Sequence, residues 1–114
     1  MLLTTLQGFW PDGRVKPSKS IIRPQRARTK RLERIVKGFA NHRRIEILEL
    51  LGDRPELCVG EICHQLQIEM KTASEHLRRL VLAGLVVKRY DSRKVRHALT
   101  ERAKSILKFL ECLD

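Results

Sequence analysis

The sequence is poor in aromatic residues, which make up only 4% of its 114 positions. Proteins that bind single-stranded nucleic acid without sequence preference stack bases on aromatic side chains, so the composition argues against that class. No apolar run approaches the roughly 20 residues that a membrane-spanning helix needs. The first residues, MLLTTLQGFWPDGR, lack the cationic start and the sustained apolar stretch of a signal peptide. We therefore expect no signal peptide and no membrane partner.

Cysteine is also scarce, and Cys58, Cys63 and Cys112 do not have the spacing of a disulfide framework. An odd number of thiols fits a reducing compartment, so we expect a cytoplasmic protein. Common enzyme motifs are missing from the sequence as well: it has no glycine-rich phosphate loop, no nucleophile elbow and no Ser–His–Asp pattern. We therefore expect neither an enzyme nor a cofactor.

Positive charge is what the sequence has in excess. Lys and Arg number 24 against 13 Asp and Glu, which gives a formal net charge of +11 at pH 7. This balance indicates a polyanionic partner of the kind that nucleic acid, the ribosome or an anionic membrane provides, and of these we do not expect the membrane. The apolar fraction of 42% is close to that of a globular protein, and the length suits one domain with or without a tail.

The first 29 residues differ from the rest of the chain. The stretch PDGRVKPSKSIIRPQRARTK contains three prolines and many basic residues, but no apolar periodicity. We interpret residues 1–29 as a flexible basic arm that precedes a folded domain of residues 30–114. An irregular terminus without a function is the alternative interpretation of this segment.

From about residue 30, apolar residues recur at helical spacing. A first helix is followed by Asn41, a suitable N-cap for a second helix that should end at Gly52. A third, short helix precedes a fourth over about 70–82; LVVKRY and KVRHALT then predict a hairpin, and Thr100 can cap a last helix. The apolar residues that define the first, second, third and last helices are, in that order, Leu32, Ile35, Val36 and Phe39; Ile45, Leu48 and Leu51; Val59, Ile62, Cys63 and Leu66; and Ala103, Ile106, Leu107, Leu110 and Leu113.

This order predicts a mainly α fold with a small β-hairpin wing. A short helix, a tight turn and a longer helix with exposed polar residues form a helix-turn-helix, whose second helix enters the major groove of DNA. The hairpin makes it a winged helix-turn-helix, in the order helix–helix–helix–turn–helix–strand–strand–helix.

The charge is concentrated on this unit. Residues 71–96 hold eight cations against Glu75 and Asp91, whereas residues 35–70 hold more acidic than basic residues. A solvated basic face without a partner is the alternative explanation, but it does not account for this concentration. The candidate DNA-binding residues are Lys71, Thr72, Ser74, Glu75, Arg78, Arg79, Arg89, Arg93, Lys94 and Arg96.

Residues 32–100 resemble the ArsR/SmtB family of winged-helix repressors. The likeness rests on ANHRRIEILELL, ELCVGEI, TASEHLRRLVLAGLV and the wing RYDSRKVRHALT, and it continues through the last helix. It implies a homodimeric repressor that binds an inverted repeat in double-stranded DNA, with the first and last helices at the dimer interface. The interface residues expected on this basis are Leu32, Ile35, Val36, Phe39, Ile106, Leu107, Leu110 and Leu113.

The sequence departs from the family pattern at several positions. Glu69 stands where the recognition helix usually has a Ser or Thr cap, and Ser92 stands where the wing usually has Gly. We expect His76, on the buried flank of its helix, to make a structural hydrogen bond rather than read a base.

The metal-sensing motif of many relatives is also incomplete. Cys58 matches the first thiolate of their Cys-Val-Cys pair, but Gly60 occupies the place of the second, and the last helix has no histidine. We therefore expect no metal site and no small-molecule or metal effector. Redox switching through Cys58 and Cys112 is a further hypothesis, and Cys63 is expected to be a small buried core residue.

One rival interpretation of the basic surface stays open, namely sequence-neutral binding of DNA or RNA. Such binding would depend steeply on salt and show little base preference. The polar side chains of Thr72, Ser74 and Glu75 favour specific duplex DNA, because a purely electrostatic binder does not need them.

Overall fold

The computed structural model describes residues 8–15 and 25–114, and the chain divides into two units, Met1–Lys30 and Arg31–Asp114. In the first unit, residues 8–15 form a turn closed by an antiparallel bridge between Phe9 and Val15. The Asp12 carboxylate accepts hydrogen bonds from the backbone N–H and the Nε of Arg14, at 3.1 and 2.6 Å. Residues 1–7 and 16–24 of the predicted arm lie outside the described residues.

Helix α1 (Arg26–Phe39) begins before the predicted start near residue 30. Residues 26–29, which we assigned to the flexible arm, are therefore helical. Arg26, Arg28 and Lys30 have straight side chains that favour helix even where apolar periodicity is absent, so the periodic pattern missed this turn.

Helix α2 (His42–Asp53) begins as predicted, because Asn41 Oδ1 accepts hydrogen bonds from the N–H groups of Arg43 and Arg44, at 2.9 and 3.3 Å. Among its apolar residues, Ile45 is half-buried and Ile47 is fully buried. The predicted end at Gly52 was wrong. Gly52 lies within the helix, where an added Cβ would come within 3.1 Å of Leu107 Cδ1, so it permits close packing rather than ending the helix.

The helix-turn-helix consists of α3 (Val59–Leu66) and α4 (Met70–Leu82), as predicted. Gln67 between them adopts a left-handed conformation with φ of 55°, and Ile68 N–H donates to Cys63 O at 3.2 Å. Gly84, with φ of 74°, takes the chain out of α4 in a conformation that favours glycine. Cys63, expected to be buried, is half-buried in α3.

The wing is an antiparallel hairpin of β1 (Val86–Tyr90) and β2 (Val95–Leu99), which pairs Val86 with Leu99 and Tyr90 with Val95. The turn between the strands is closed by reciprocal backbone hydrogen bonds between Asp91 and Lys94, at 2.9 and 3.2 Å. Helix α5 (Glu101–Leu113) follows at once, and Thr100 Oγ1 caps it by accepting from Ala103 N–H at 3.2 Å, as predicted.

The core of the second unit lies among α2, α3, α4, β1 and α5. Burying a Leu or Ile side chain contributes about 1.5–3 kcal/mol relative to exposure, so this cluster provides much of the stability of the unit. Within the described ranges, 8–15 and 25–114, no helix is long and apolar enough to cross a membrane. The core consists of Ile47, Leu48, Leu51, Leu57, Ile62, Leu77, Leu80, Leu85, Val86 and Ala103.

Candidate nucleic-acid interface

Helix α4 has one buried face and one exposed polar face. Ala73, Leu77 and Leu80 are buried against the core, at the spacing that anchors one side of a helix. Glu69 stands at the N-cap position without a side-chain capping bond, so the carboxylate does not replace the usual Ser or Thr there. The candidate residues of α4, all exposed, are Lys71, Thr72, Ser74, Glu75, Arg78 and Arg79.

Glu75 joins two of these arginines on the surface of α4. Its carboxylate accepts from Arg78 Nε and Nη2 at 3.0 and 2.7 Å, and from Arg79 Nε at 3.2 Å. These bonds, with Arg78 making the largest contribution, lower the pKa of Glu75 to about 2. Glu75 is therefore charged at physiological pH, and both guanidinium groups donate to it.

The wing places its four predicted cations in two different settings. Arg93 and Lys94 lie exposed in the turn between β1 and β2. Arg89 instead forms an ion pair with Glu56, with Nη1 and Oε1 3.0 Å apart. Arg96 Nε lies 3.1 Å from Asp91 Oδ2 while its Nη1 donates to Glu56 O at 3.1 Å, so this side chain joins the wing to the loop before α3.

Asp91 organises the tip of the wing. Its Oδ1 accepts from Ser92 N–H at 2.7 Å, which provides the local turn bond where relatives usually have glycine. The Ser92 backbone, followed by the Arg96 side chain, lowers the pKa of Asp91. A charged Asp91 therefore fixes the turn that presents Arg93 and Lys94.

His76 makes the structural hydrogen bond that we predicted. Its Nδ1 accepts from Arg44 Nε at 3.2 Å, and Arg44 Nη1 donates to the carbonyls of Lys37 and Gly38, each at 3.2 Å. Burial, followed by the charge of Arg44, lowers the pKa of His76 and favours the neutral acceptor. Arg44 thus joins α1, α2 and α4, a role that only a contact between distant residues could reveal.

The structural role of His97 was not predicted from the sequence. It is 3% exposed in β2, where its backbone N–H and its Nδ1 both donate to Leu57 O, at 2.9 and 3.0 Å. Glu56 N–H returns a bond to His97 O at 3.0 Å, so residues 56–57 extend the wing sheet by a short bridge. Burial is the main cause that lowers the pKa of His97.

An apolar groove of about 440 Å³ separates α1 from α5. Phe109, 57% exposed, also lines it and was missed, because it lies beside the predicted stripe of α5. Leu107 packs toward Gly52, Leu110 lines a hollow with Glu49 and Asp53, and Leu113 is largely exposed. The predicted interface residues that line the groove are Leu32, Ile35, Val36, Phe39 and Ile106.

The three thiols are free and occupy different settings. Cys58 and Cys63 are half-buried, whereas Cys112 is exposed near the end of α5. Hydrogen bonds from the Cys58 side chain and backbone lower the pKa of Glu61, and burial raises the pKa of Cys63. In the part of the chain that the structure describes, three or more His, Cys, Asp or Glu side chains do not gather where they could hold a metal ion.

The chain is similar to known transcriptional regulators. Residues 41–88, from the start of α2 into β1, match the sequence model of the bacterial regulatory protein, arsR family. The uncharacterized HTH-type transcriptional regulator MJ1325 of Methanocaldococcus jannaschii is 32% identical over 78 residues, which cover 68% of this chain and 88% of that protein.

Two solved structures are similar over most of their length. The transcriptional regulator HlyU of Vibrio vulnificus is 35% identical, with a TM-score of 0.64, and the match covers 77% of this chain and 92% of HlyU. The homodimeric winged helix-turn-helix DNA-binding domain of Mb0332 from Mycobacterium bovis is 25% identical, with a TM-score of 0.72 and coverage of 87% and 88%.

Proposed function

The chain belongs to the ArsR family of winged helix-turn-helix transcriptional regulators, and from this premise we propose that it is a homodimeric repressor of a specific operator. Its partner is double-stranded DNA with an inverted repeat, which a two-fold dimer matches with one half-site per protomer. Family and fold are those of DNA-binding regulators, and we propose no catalytic activity.

The observation that carries this proposal is the exposed polar face of α4 beside the cationic wing. The buried residues of α4 fix its orientation, so that Lys71, Thr72 and Ser74 lie together on the first turns. Hydroxyl and ammonium groups at the start of a recognition helix can reach base edges or phosphates. A surface built only for charge would not need Thr72, Ser74 and Glu75.

We assign the candidate residues to three tasks. Thr72, Ser74 and Glu75 contact base edges, and Lys71 contacts a base edge or a phosphate. Arg89 and Arg96 hold the wing in place through their ion pairs, and the other cations contact the DNA backbone. The residues assigned to phosphates are Arg78, Arg79, Arg93 and Lys94.

The apolar groove supports dimerisation through α1 and α5. Val36 and Phe109 are 52% and 57% exposed, and a second copy of the groove would remove both from water. Mb0332, whose DNA-binding domain is homodimeric, is matched over 87% of this chain. We therefore assign Phe109 and the predicted interface residues that line the groove to the dimer contact. Leu107 packs behind the groove against Gly52, and Leu110 and Leu113 stay proposed members of the interface from the family resemblance.

We further propose that the protein has no intact metal-sensing site. Gly60 carries no side chain where relatives have the second thiolate, which leaves Cys58 without its partner ligand. Cys58 and Cys112 are candidates for oxidative control. The basic residues that precede α1 are proposed to form an arm before the domain.

Selection of the reduced, metal-free protein on a random duplex DNA pool at physiological salt tests the proposal. We expect an enriched inverted repeat with half-sites about one or two helical turns apart. The recovered sequence then serves as the operator in gel-shift and transcription assays, in which the protein should block transcription. Binding without enrichment that disappears as salt rises would replace this proposal with sequence-neutral binding.

A further inference from the structure

We propose that Glu75 determines specificity by restraining Arg78 and Arg79 in the free protein and by accepting a hydrogen bond from a cytosine in the operator complex. This inference rests on the proposed function and assigns a defined task to one residue of its binding surface.

The geometry places one carboxylate between two arginines on an exposed helix face. Residues 75, 78 and 79 follow the i, i+3, i+4 spacing that brings side chains together on a helix. Arg78 meets Glu75 through two parallel hydrogen bonds at 3.0 and 2.7 Å, and Arg79 adds a third at 3.2 Å. Glu75 is also the only acidic residue of α4, so it offsets one of the three cations of that helix.

The arrangement opposes binding to phosphates alone. Arg78 can bind a phosphate through its Nε–Nη2 edge only after it releases the carboxylate on that edge, and Arg79 must likewise free its Nε. Glu75 would then lie close to DNA phosphates without its counter-charges, and like charges repel. The affinity for random duplex is therefore lower than it would be if both arginines were unpaired.

The operator relieves this restraint if Glu75 gains a partner of its own. In the major groove, cytosine presents an amino group that donates a hydrogen bond, and Asp or Glu is the side chain that accepts it. With its carboxylate on that amino group, Glu75 no longer needs the arginines, and both can donate to flanking phosphates. Base reading and phosphate binding are thereby coupled through one carboxylate.

Comparing Glu75→Gln with a matched control tests this coupling. The control is Glu46→Gln, because Glu46 makes the same i,i+3 type of pair, with Arg43 at 3.0 Å, on α2 rather than on the recognition helix. Both changes remove one negative charge from an exposed or half-buried pair. Affinities for random duplex and for the selected operator are measured by fluorescence anisotropy across a salt series, and DNA selection is repeated with each variant.

For Glu75→Gln we expect binding to random duplex to tighten by about threefold or more relative to Glu46→Gln, with a steeper salt dependence. The operator-to-random affinity ratio should fall by about tenfold, and selection should replace one cytosine per half-site by adenine, the base that Gln prefers. Equal behaviour of the two variants on random duplex, or an unchanged base preference, would overturn the assignment.

Failure of the proposed function is distinguishable from failure of this inference. Wild-type protein that selects no sequence would refute specific operator recognition and the cytosine contact together. The random-duplex comparison needs no operator, so it would still decide whether Glu75 restrains the arginines.

Discussion

At the scale of single residues, the wing tip and the start of α4 are expected to make different kinds of contact. Arg93→Ala or Lys94→Ala should weaken binding to operator and random duplex by the same factor, because phosphates carry no sequence information. Each should also reduce the slope of log affinity against log salt by about 1. Fluorescence anisotropy across a salt series measures both effects, and Lys108→Ala on α5 is the control for lost charge.

Thr72→Ala and Ser74→Ala provide the contrasting case. We expect them to weaken operator binding by about 1–3 kcal/mol each while leaving random-duplex affinity nearly unchanged. If all four variants lose the same affinity on both duplexes, α4 is not the reading helix.

We expect the protonation of His97 to make the stability of the protein depend on pH. Burial lowers its pKa below the ordinary value of 6.5, so the unfolded chain takes up a proton at a higher pH than the folded protein does. The stability contribution is therefore complete above the unfolded pKa and is lost as the pH falls through the folded pKa. His76, with a pKa lowered in the same direction, adds to this effect.

Thermal unfolding at about pH 7.5 and about pH 5.5, on either side of the ordinary histidine pKa, tests this expectation. His97→Asn keeps an amide that can donate to Leu57 O but removes the titrating group, so it should lose less stability on acidification than the wild type. His64→Asn, at an exposed position of α3, should leave the pH dependence unchanged. A wild-type pH dependence in His97→Asn would refute the assignment.

At the scale of helices and strands, the contact between α1 and the end of α4 depends on Gly38. A Cβ at this position would clash with Ala83 Cβ, a rigid group that cannot rotate away. Gly38→Ala should therefore lower the free energy of unfolding by about 1–3 kcal/mol, although alanine favours helix. Gly60→Ala in α3 is the matched variant, because a Cβ there meets nothing within 4 Å, and it should stabilise by up to about 1 kcal/mol. Urea denaturation measures both, and equal signs would contradict the packing assignment.

The groove between α1 and α5 is expected to form the dimer interface. Val36→Asp introduces a charge at an exposed groove position, so the monomer should still fold while the dimer loses its apolar contact. Light scattering coupled to size exclusion should report a monomer at micromolar concentration, with helical content unchanged by circular dichroism. Val87→Asp on β1, outside the groove, should remain dimeric. A dimeric Val36→Asp variant would place the interface elsewhere.

At the scale of the whole molecule, oxidation offers a test of how DNA binding is controlled. We expect hydrogen peroxide to weaken operator binding by the wild type, and Cys58→Ser or Cys112→Ser to remove most of that sensitivity. Cys112 is exposed and Cys58 half-buried, so both are accessible to a small oxidant. Sensitivity that is absent, or unchanged in both variants, would refute redox control.

Added zinc should leave the affinity of the reduced protein unaltered, since the second thiolate position is Gly60.

The sequence by itself determined the family, the order of the helices and strands, and the exposed polar face of α4. The family was inferred from the resemblance of motifs such as TASEHLRRLVLAGLV, whereas the order of the helices and the exposed face of α4 depend on local patterns, namely helical periodicity and capping by Asn41 and Thr100. Local propensity also explains why periodicity missed the basic first turn of α1.

Only the tertiary structure decided which charged groups are free and which are held. The bonds from Arg44 to His76, from Arg96 to Glu56, and from His97 to Leu57 join residues 32 to 40 positions apart, and no sequence period encodes such pairs. Gly52 is a similar case. Glycine commonly ends a helix, but Gly52 lies within α2 and allows Leu107 to pack closely against it. Such contacts form only when the packing of helices and strands brings residues that are far apart in the sequence within bonding distance. A local sequence pattern therefore does not predict them.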